Sequence, residues 1–150
     1  MISILSLLTQ DHAHLLTLAD GLAGGAAAAC TRERGLAELT ALLREHLRFE
    51  ERNLYPLLML HVDASTMGAR ANAQHREIEA RIAALAQAAE AEAGPAAVAL
   101  ATALRRHFAE EEALILPRLR RMMTDGMLRE LGSRYQAERA PDLDGAPLGR

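Results

Sequence analysis

Apolar residues recur at every third or fourth position along most of this chain, and no stretch alternates between apolar and polar residues. Such spacing places apolar side chains on one face of an α-helix, whereas a half-buried strand needs a period of two. Ala and Leu, which are strong helix formers, make up much of the chain, and only 3% of its residues are aromatic. The sequence therefore predicts an all-α protein without a β-sheet.

Glycines, prolines and short polar segments divide this periodic sequence into four long helices and one short helix. Gly94 and Pro95 are expected to separate the third long helix from the fourth, because Pro is tolerated in a first helical turn. Long helices joined by short loops predict an up-down-up-down four-helix bundle. The expected organisation is a bundle at 1–125, a short C-terminal helix at 126–136, and a disordered tail at 137–150 that is rich in Pro, Gly and charge.

Charge and cysteine content narrow the expected compartment and partners. The net charge of -3 gives no electrostatic reason to bind nucleic acid or an anionic membrane. The apolar N-terminal stretch is short and lacks a basic start, so neither a signal peptide nor a membrane span is expected. The single Cys30 excludes an internal disulfide and fits a reducing compartment. We therefore expect a soluble, cytoplasmic protein without nucleic-acid or membrane partners.

Two segments of the chain, HLRFEERNLYPLL at 46–58 and HFAEEEALILPRL at 107–119, share one pattern. A His is followed by Glu at +4 and +5, an apolar residue at +8 and Pro at +10, and the copies lie 61 residues apart. Agreement at so many offsets is hard to attribute to chance. The prolines, Pro56 and Pro117, each remove a helical hydrogen bond and are expected to kink their helices near the end of the bundle, unless they simply end them.

The His and the first Glu of each copy face the bundle interior. Positions i and i+4 lie on one face of a helix, so His46 projects with Glu50, and His107 with Glu111. Both pairs lie on leucine-rich stripes that carry no Lys or Arg. Because a buried carboxylate is costly unless it is paired or binds a metal, the pattern indicates a metal site. The glutamates at +5, Glu51 and Glu112, point away from the histidines of their own helices and are expected either to lie in solvent or to contact the ligands from outside. Replacing either of them by Ala is expected to change little.

Helices 1 and 3 are expected to add one imidazole each. His75 lies on the stripe of Ile78 and Ile82, and His12 has apolar residues at the same spacings, whereas the alternative His14 lies on a more polar face. The predicted ligand set is His12, His46, Glu50, His75, His107 and Glu111. Six ligands exceed one tetrahedral zinc site and suit two metals bridged by the two carboxylates, each with two His ligands and an open position. This donor set favours iron or manganese.

With these motifs in the order H, HxxxE, H, HxxxE, the first 125 residues resemble the hemerythrin-like, HHE cation-binding family. The resemblance implies a four-helix bundle around a non-haem centre of two irons per chain, bridged by an oxo or hydroxo group. The sequence departs from the oxygen-carrying members, which typically have a second His on helix 3, where this chain has Glu79, and an Asp on helix 4, where it has Glu111. Glu79 is either a seventh ligand or, as its polar neighbours favour, a surface residue.

The function expected from this resemblance is binding of, or reaction with, a small ligand such as O₂, NO or peroxide. Whether the chain is a carrier, a sensor or a redox enzyme is left open. The alternative is a regulatory or interaction bundle with a structural metal, acting by contact, for example as a homodimer. Phe49 and Phe108 are expected to form walls of the core around the site. Tyr55 is expected to pack in the core or a groove, and the alternative is a redox role beside the metal.

Overall fold

The computed structural model describes residues 1–24, 29–62 and 64–139, and these residues form helices without any strand. The all-α prediction is confirmed, including the short C-terminal helix. The predicted tail lies outside the described residues from position 140 onwards, as does the side chain of Cys30. The elements in chain order are α1 (Ile4–Ala23), α2 (Ala29–Asn53), α3 (Tyr55–Met59), α4 (Ser65–Gln87), α5 (Glu90–Glu110), a π-helical turn (Glu111–Ile115), α6 (Leu116–Met122) and α7 (Asp125–Arg139).

Two apolar clusters form the core, and a polar layer separates them. One cluster contains Leu15, Leu43 and Leu104, and the other contains Leu8 and Leu119. Along each of α1, α2 and α4, a buried histidine lies between residues of the two clusters, and His107 near the end of α5 lies between Leu104 of one cluster and Ile115 of the other. Burying one Leu side chain contributes about 2 kcal/mol, so the clusters can compensate for the cost of burying the polar layer.

The break between the third and fourth long helices lies earlier than the sequence indicated. The prediction that Gly94 and Pro95 separate them is wrong, because α4 ends at Gln87 and α5 already begins at Glu90. Acidic residues in the first turn of α5 interact favourably with the helix dipole and stabilise this earlier start. Pro95 then lies within α5, close enough to its start that few helical hydrogen bonds are lost.

The helical geometry changes just before each proline of the repeated segment. In the first copy, α2 ends at Asn53 and Pro56 lies in the short α3. In the second copy, the π-helical turn widens the helix, and Pro117 follows at the start of α6. Helix continues beyond the proline in both copies, after a break at Leu54 in the first and without a break in the second. The alternative that the proline ends its helix is therefore wrong for Pro117. π-helical turns are frequent at functional sites, and Glu111 begins this one.

The C-terminal helix α7 packs on the body of the bundle and extends to Arg139, beyond the end expected from the sequence. Leu128, Leu131 and Tyr135 are buried beneath it. Gly132 lies against the N-terminal segment so closely that an added Cβ would collide with the carbonyl oxygen of Ile2. Among the described helices, none has the length and apolar character needed to cross a membrane.

Candidate metal centre

All six predicted ligand residues are buried, and none of them is more than 2% exposed. Four helices and the π-helical turn supply them, so one layer of the bundle holds four imidazoles and two carboxylates. The two alternatives from the sequence lie elsewhere. His14 is exposed, and Glu79 forms an ion pair with Arg44 at 3.0 Å on the surface.

The structure brings the six residues into two groups that could each hold a metal ion. Within each group, the potential ligand atoms all lie within 4.8 Å of one another. Glu50 belongs to both groups. Its Oε1 lies 3.1 Å from His46 Nε2, and its Oε2 lies 3.5 Å from His75 Nε2. The first group consists of His12, His46, Glu50 and Glu111, and the second group consists of Glu50, His75 and His107.

Four buried atoms of the first group have no hydrogen-bond partner among the described residues. They are His12 Nε2, His46 Nε2, Glu50 Oε1 and Glu111 Oε2. His12 Nε2 and Glu111 Oε2 lie 3.3 Å apart, without the alignment that a hydrogen bond needs. A buried polar atom without a partner costs about 1–3 kcal/mol, so four such atoms facing one point need an explanation. A cation bound between them satisfies all four, and the donor set therefore fits a metal ion.

Each of the four imidazoles uses its other nitrogen, Nδ1, to bond to a neighbouring side chain. Metal-binding histidines in proteins almost always have such a partner, which fixes the ring orientation and the tautomer. The geometry is therefore that expected for Nε2 ligation throughout. The Nδ1 contacts are His12 to Glu112 at 2.8 Å, His75 to Glu51 at 2.8 Å, His107 to Gln74 at 3.0 Å, and His46 to Tyr135 at 3.1 Å and Asp11 at 3.5 Å.

These supporting contacts follow the sequence repeat. The Glu at +5 in each copy accepts from the histidine of another helix, Glu51 from His75 and Glu112 from His12. The residue before His12 is Asp11, which contacts His46, and the residue before His75 is Gln74, which contacts His107. Asp11 and Gln74 were not predicted from the sequence. Each directly precedes a candidate ligand histidine, and this shared position was a usable signal.

Replacing Glu51 or Glu112 by Ala is now expected to weaken metal binding rather than to change little. Each substitution leaves a ligand imidazole without its Nδ1 partner, and loss of such a partner typically lowers metal affinity by about 10- to 100-fold. Competition with a chelator measures this affinity, while the number of ions bound at saturation should stay unchanged. The matched control is Glu45→Ala, which alters an exposed Glu of α2, the helix that also carries Glu51. Wild-type affinity in both variants would contradict the supporting role.

Tyr55 is a further buried residue of the candidate centre, although its position in the sequence favoured a role in packing over one beside the metal. Its hydroxyl donates to Glu111 Oε1 at 2.6 Å and lies 2.9 Å from His75 Nε2. The break after α2 places the ring of Tyr55 there. Burial and the charges of Glu50 and Glu111 raise the pKa of this hydroxyl, so it keeps its proton. The second group thus has an oxygen atom beside its two imidazoles and one carboxylate.

The pKa values of the buried histidines and glutamates indicate that positive charge is stabilised in this layer of the protein. Burial alone would lower the pKa of His46, but the carboxylates of Glu50 and Asp11 raise it to about 10. Burial also favours neutral Glu50, yet the charge of the adjacent His46 holds the pKa of Glu50 well below the usual range. Burial and the charge of Glu50 together raise the pKa of Glu111. Burial lowers the pKa of His107 to about 3. Protons therefore supply the positive charge in the metal-free protein.

Metal uptake is expected to release protons at neutral pH. His46 has a pKa of about 10 and is protonated in the metal-free protein, and it must lose a proton before Nε2 can bind an ion. Adding Fe(II) anaerobically at pH 7 should therefore release about one proton per chain or more. An indicator dye in weak buffer measures the released protons. His14→Ala, which changes an exposed imidazole, should release the same number. Iron uptake without proton release would contradict this expectation.

Comparison with known proteins agrees with this geometry. The family model for the hemerythrin HHE cation-binding domain matches residues 3–119, which is most of the chain. The chain therefore belongs to the hemerythrin HHE cation-binding family, as its sequence resemblance indicated, and its buried His and Glu groups are of the kind that bind metal cations. No curated protein and no solved structure matches the chain significantly.

Proposed function

We propose that this protein holds two irons per chain and binds, or reacts with, a small ligand such as O₂, NO or peroxide. The observation that carries the proposal is the position of Glu50, whose two oxygens face two separate groups of buried imidazoles. A single carboxylate shared in this way suits two ions bound side by side. Imidazole with carboxylate is a common donor set for non-haem iron.

The protein would contribute the ligands, their orientation and a dry environment. When bound, irons with this donor set would supply open coordination positions and access to both the Fe(II) and Fe(III) states. The ring of Phe108 stacks on His12 at 4.1 Å between centroids and covers one side of the first group. The apolar clusters above and below the layer exclude water. Tyr55 holds a proton at its hydroxyl, directed at Glu111.

A cavity between α4 and the π-helical turn offers a route to the centre for a small molecule. Its volume is about 180 Å³, and it reaches Glu111. The lining is mostly apolar near the protein interior, with Ala71 and Ile115, and Glu110 is hydrogen-bonded there to Gln74 at 2.8 Å. A cavity of this volume can hold a diatomic molecule or peroxide, which supports the small-ligand part of the proposal.

The proposal is tested by optical spectroscopy of iron-loaded protein, reduced under anaerobic conditions and then exposed separately to O₂, NO and peroxide. A new absorption band with at least one of the three is expected. The control is the same protein loaded with zinc, which has no redox chemistry and should show no band. An iron-loaded protein whose spectrum responds to none of the three would contradict the proposal and favour a regulatory bundle with a structural metal.

A further inference from the structure

Helix α7 lies beyond the region that matches the family model, yet it reaches the candidate metal centre. Tyr135 on this helix is only 1% exposed. Its hydroxyl lies 3.1 Å from His46 Nδ1 and accepts the hydrogen bond of that nitrogen. Through its own proton it donates to Asp11, to which Arg139 of the same helix also donates. A chain of contacts thus runs from α7 to a candidate ligand of the first group.

This chain of contacts fixes the orientation of the His46 ring. Asp11 itself lies 3.5 Å from His46 Nδ1, at the limit of a hydrogen bond, so Tyr135 makes the closer contact. Asp11 in turn accepts from both Tyr135 and Arg139, which holds these groups together on the side of α7. The Nδ1 atom of His46 therefore faces α7, and its Nε2 atom faces the first group.

The contact between Tyr135 and His46 forms only when α7 is docked in one position on the bundle. The ring of Tyr135 meets that of Phe49 edge to face at 4.7 Å. Gly132, one turn earlier, is the residue that lets α7 approach the N-terminal segment, where an added Cβ would also lie 3.0 Å from the Ile4 nitrogen. Any displacement of α7 therefore moves the hydroxyl of Tyr135 away from His46.

The second group lacks a corresponding contact from α7 in the part of the chain that the structure describes. The equivalent histidine, His107, bonds instead to the amide oxygen of Gln74, which lies on the bundle helix α4. The two groups are thus supported differently, because among the described residues only the first has a contact from α7, that of Tyr135 with His46.

We propose that α7 is a clamp on the first metal position, so that docking of α7 and retention of the ion in the first group strengthen each other. Tyr135 acts as a positioning residue through His46. This inference rests on the proposed metal centre. Because coupling between two sites is reciprocal, an ion in the first group must hold α7 in place as strongly as docked α7 holds the ion.

The experiment compares iron release to a colorimetric Fe(II) chelator for the wild type and Tyr135→Phe, which keeps the ring and removes the hydroxyl. One of the two irons should leave about 10- to 100-fold faster in the variant, and the other at the wild-type rate. Gly132→Ala, which displaces α7, should have the same effect. Arg129→Ala, an exposed change on α7, should release both irons as the wild type does.

Hydrogen exchange of the α7 amides provides the reciprocal measurement. Iron loading should slow this exchange in the wild type, and the slowing should be lost in Tyr135→Phe even though α7 remains docked. A helix that merely packs on the bundle would show neither effect. If the wild type holds two irons but Tyr135→Phe and Gly132→Ala release them at the wild-type rate, the clamp proposal is contradicted while the proposed metal centre is not. If the wild type binds no metal, the clamp and the proposed function are both overturned.

Discussion

Glu50→Gln is expected to reduce the iron content from two per chain to nearly none, whereas Glu111→Gln should leave about one. Glu50 contributes an oxygen to both groups of ligand atoms, and Glu111 belongs only to the first. The amide keeps the size of the side chain but removes the charge that compensates a bound cation. Elemental analysis of purified protein, reported per folded chain, measures both values. The difference between the two variants tests the shared position of Glu50 directly.

Circular dichroism checks that both variants are folded before their iron is measured, because removing one partner of a buried charge pair lowers stability. The matched control is Glu45→Gln, which changes an exposed Glu one turn before Glu50 on the same helix and should keep two irons. Two irons in Glu50→Gln would show that the carboxylate is not shared between the metal positions. Equal losses in Glu50→Gln and Glu111→Gln would show that both carboxylates serve both positions, as the sequence first suggested.

Removal of the metal is expected to lower the free energy of unfolding by several kcal/mol. Ions that bind only the folded chain stabilise it by about 3–4 kcal/mol each when present at 100 to 1,000 times their dissociation constant. For a domain of this length, that corresponds to a fall in the melting temperature of about 10 °C or more. The physical reason is the set of four buried, unpartnered atoms of the first group, which face one another again when the ion leaves. Calorimetry with and without a chelator measures the difference.

A double variant, Glu50→Gln with Glu111→Gln, is the control for this prediction. It removes both carboxylates from the centre, so its melting temperature should not respond to the chelator. The metal-free wild type and the double variant should then unfold at similar temperatures. A wild-type protein that melts at the same temperature with and without its metal would show that the ligand layer does not depend on a cation for its stability.

The fold class and the burial of the six candidate ligand residues could be predicted because both depend on helical periodicity. The His and Glu of each repeated segment are one turn apart on an apolar stripe, and this local relation determines where they point. The apolar residues beside His12 likewise distinguished it from His14. In each case the information lies within a few residues of one helix, and the structure places these side chains in one buried layer.

The residues that support the ligands could not be predicted in the same way, because each partner lies on another helix. Glu112 reaches His12 across 100 positions of sequence. Tyr135 reaches His46 only because α7 folds back onto the bundle. Tyr55 enters the centre because the helix breaks after Asn53, and the sequence indicated a kink there without its direction. The early start of α5 was missed because the break was placed at Gly94 and Pro95, without weighing the acidic first turn at Glu90 as a helix start.

The most direct measurement is the iron content of the wild-type protein by elemental analysis, with an optical spectrum of the same sample before and after reduction and re-exposure to air. Two irons per chain, with a spectral change that reverses in air, are the predicted result. A well-folded protein that contains no metal, although it was produced in iron-replete cells, would contradict the proposed centre and leave six buried ligand residues without a metal to bind.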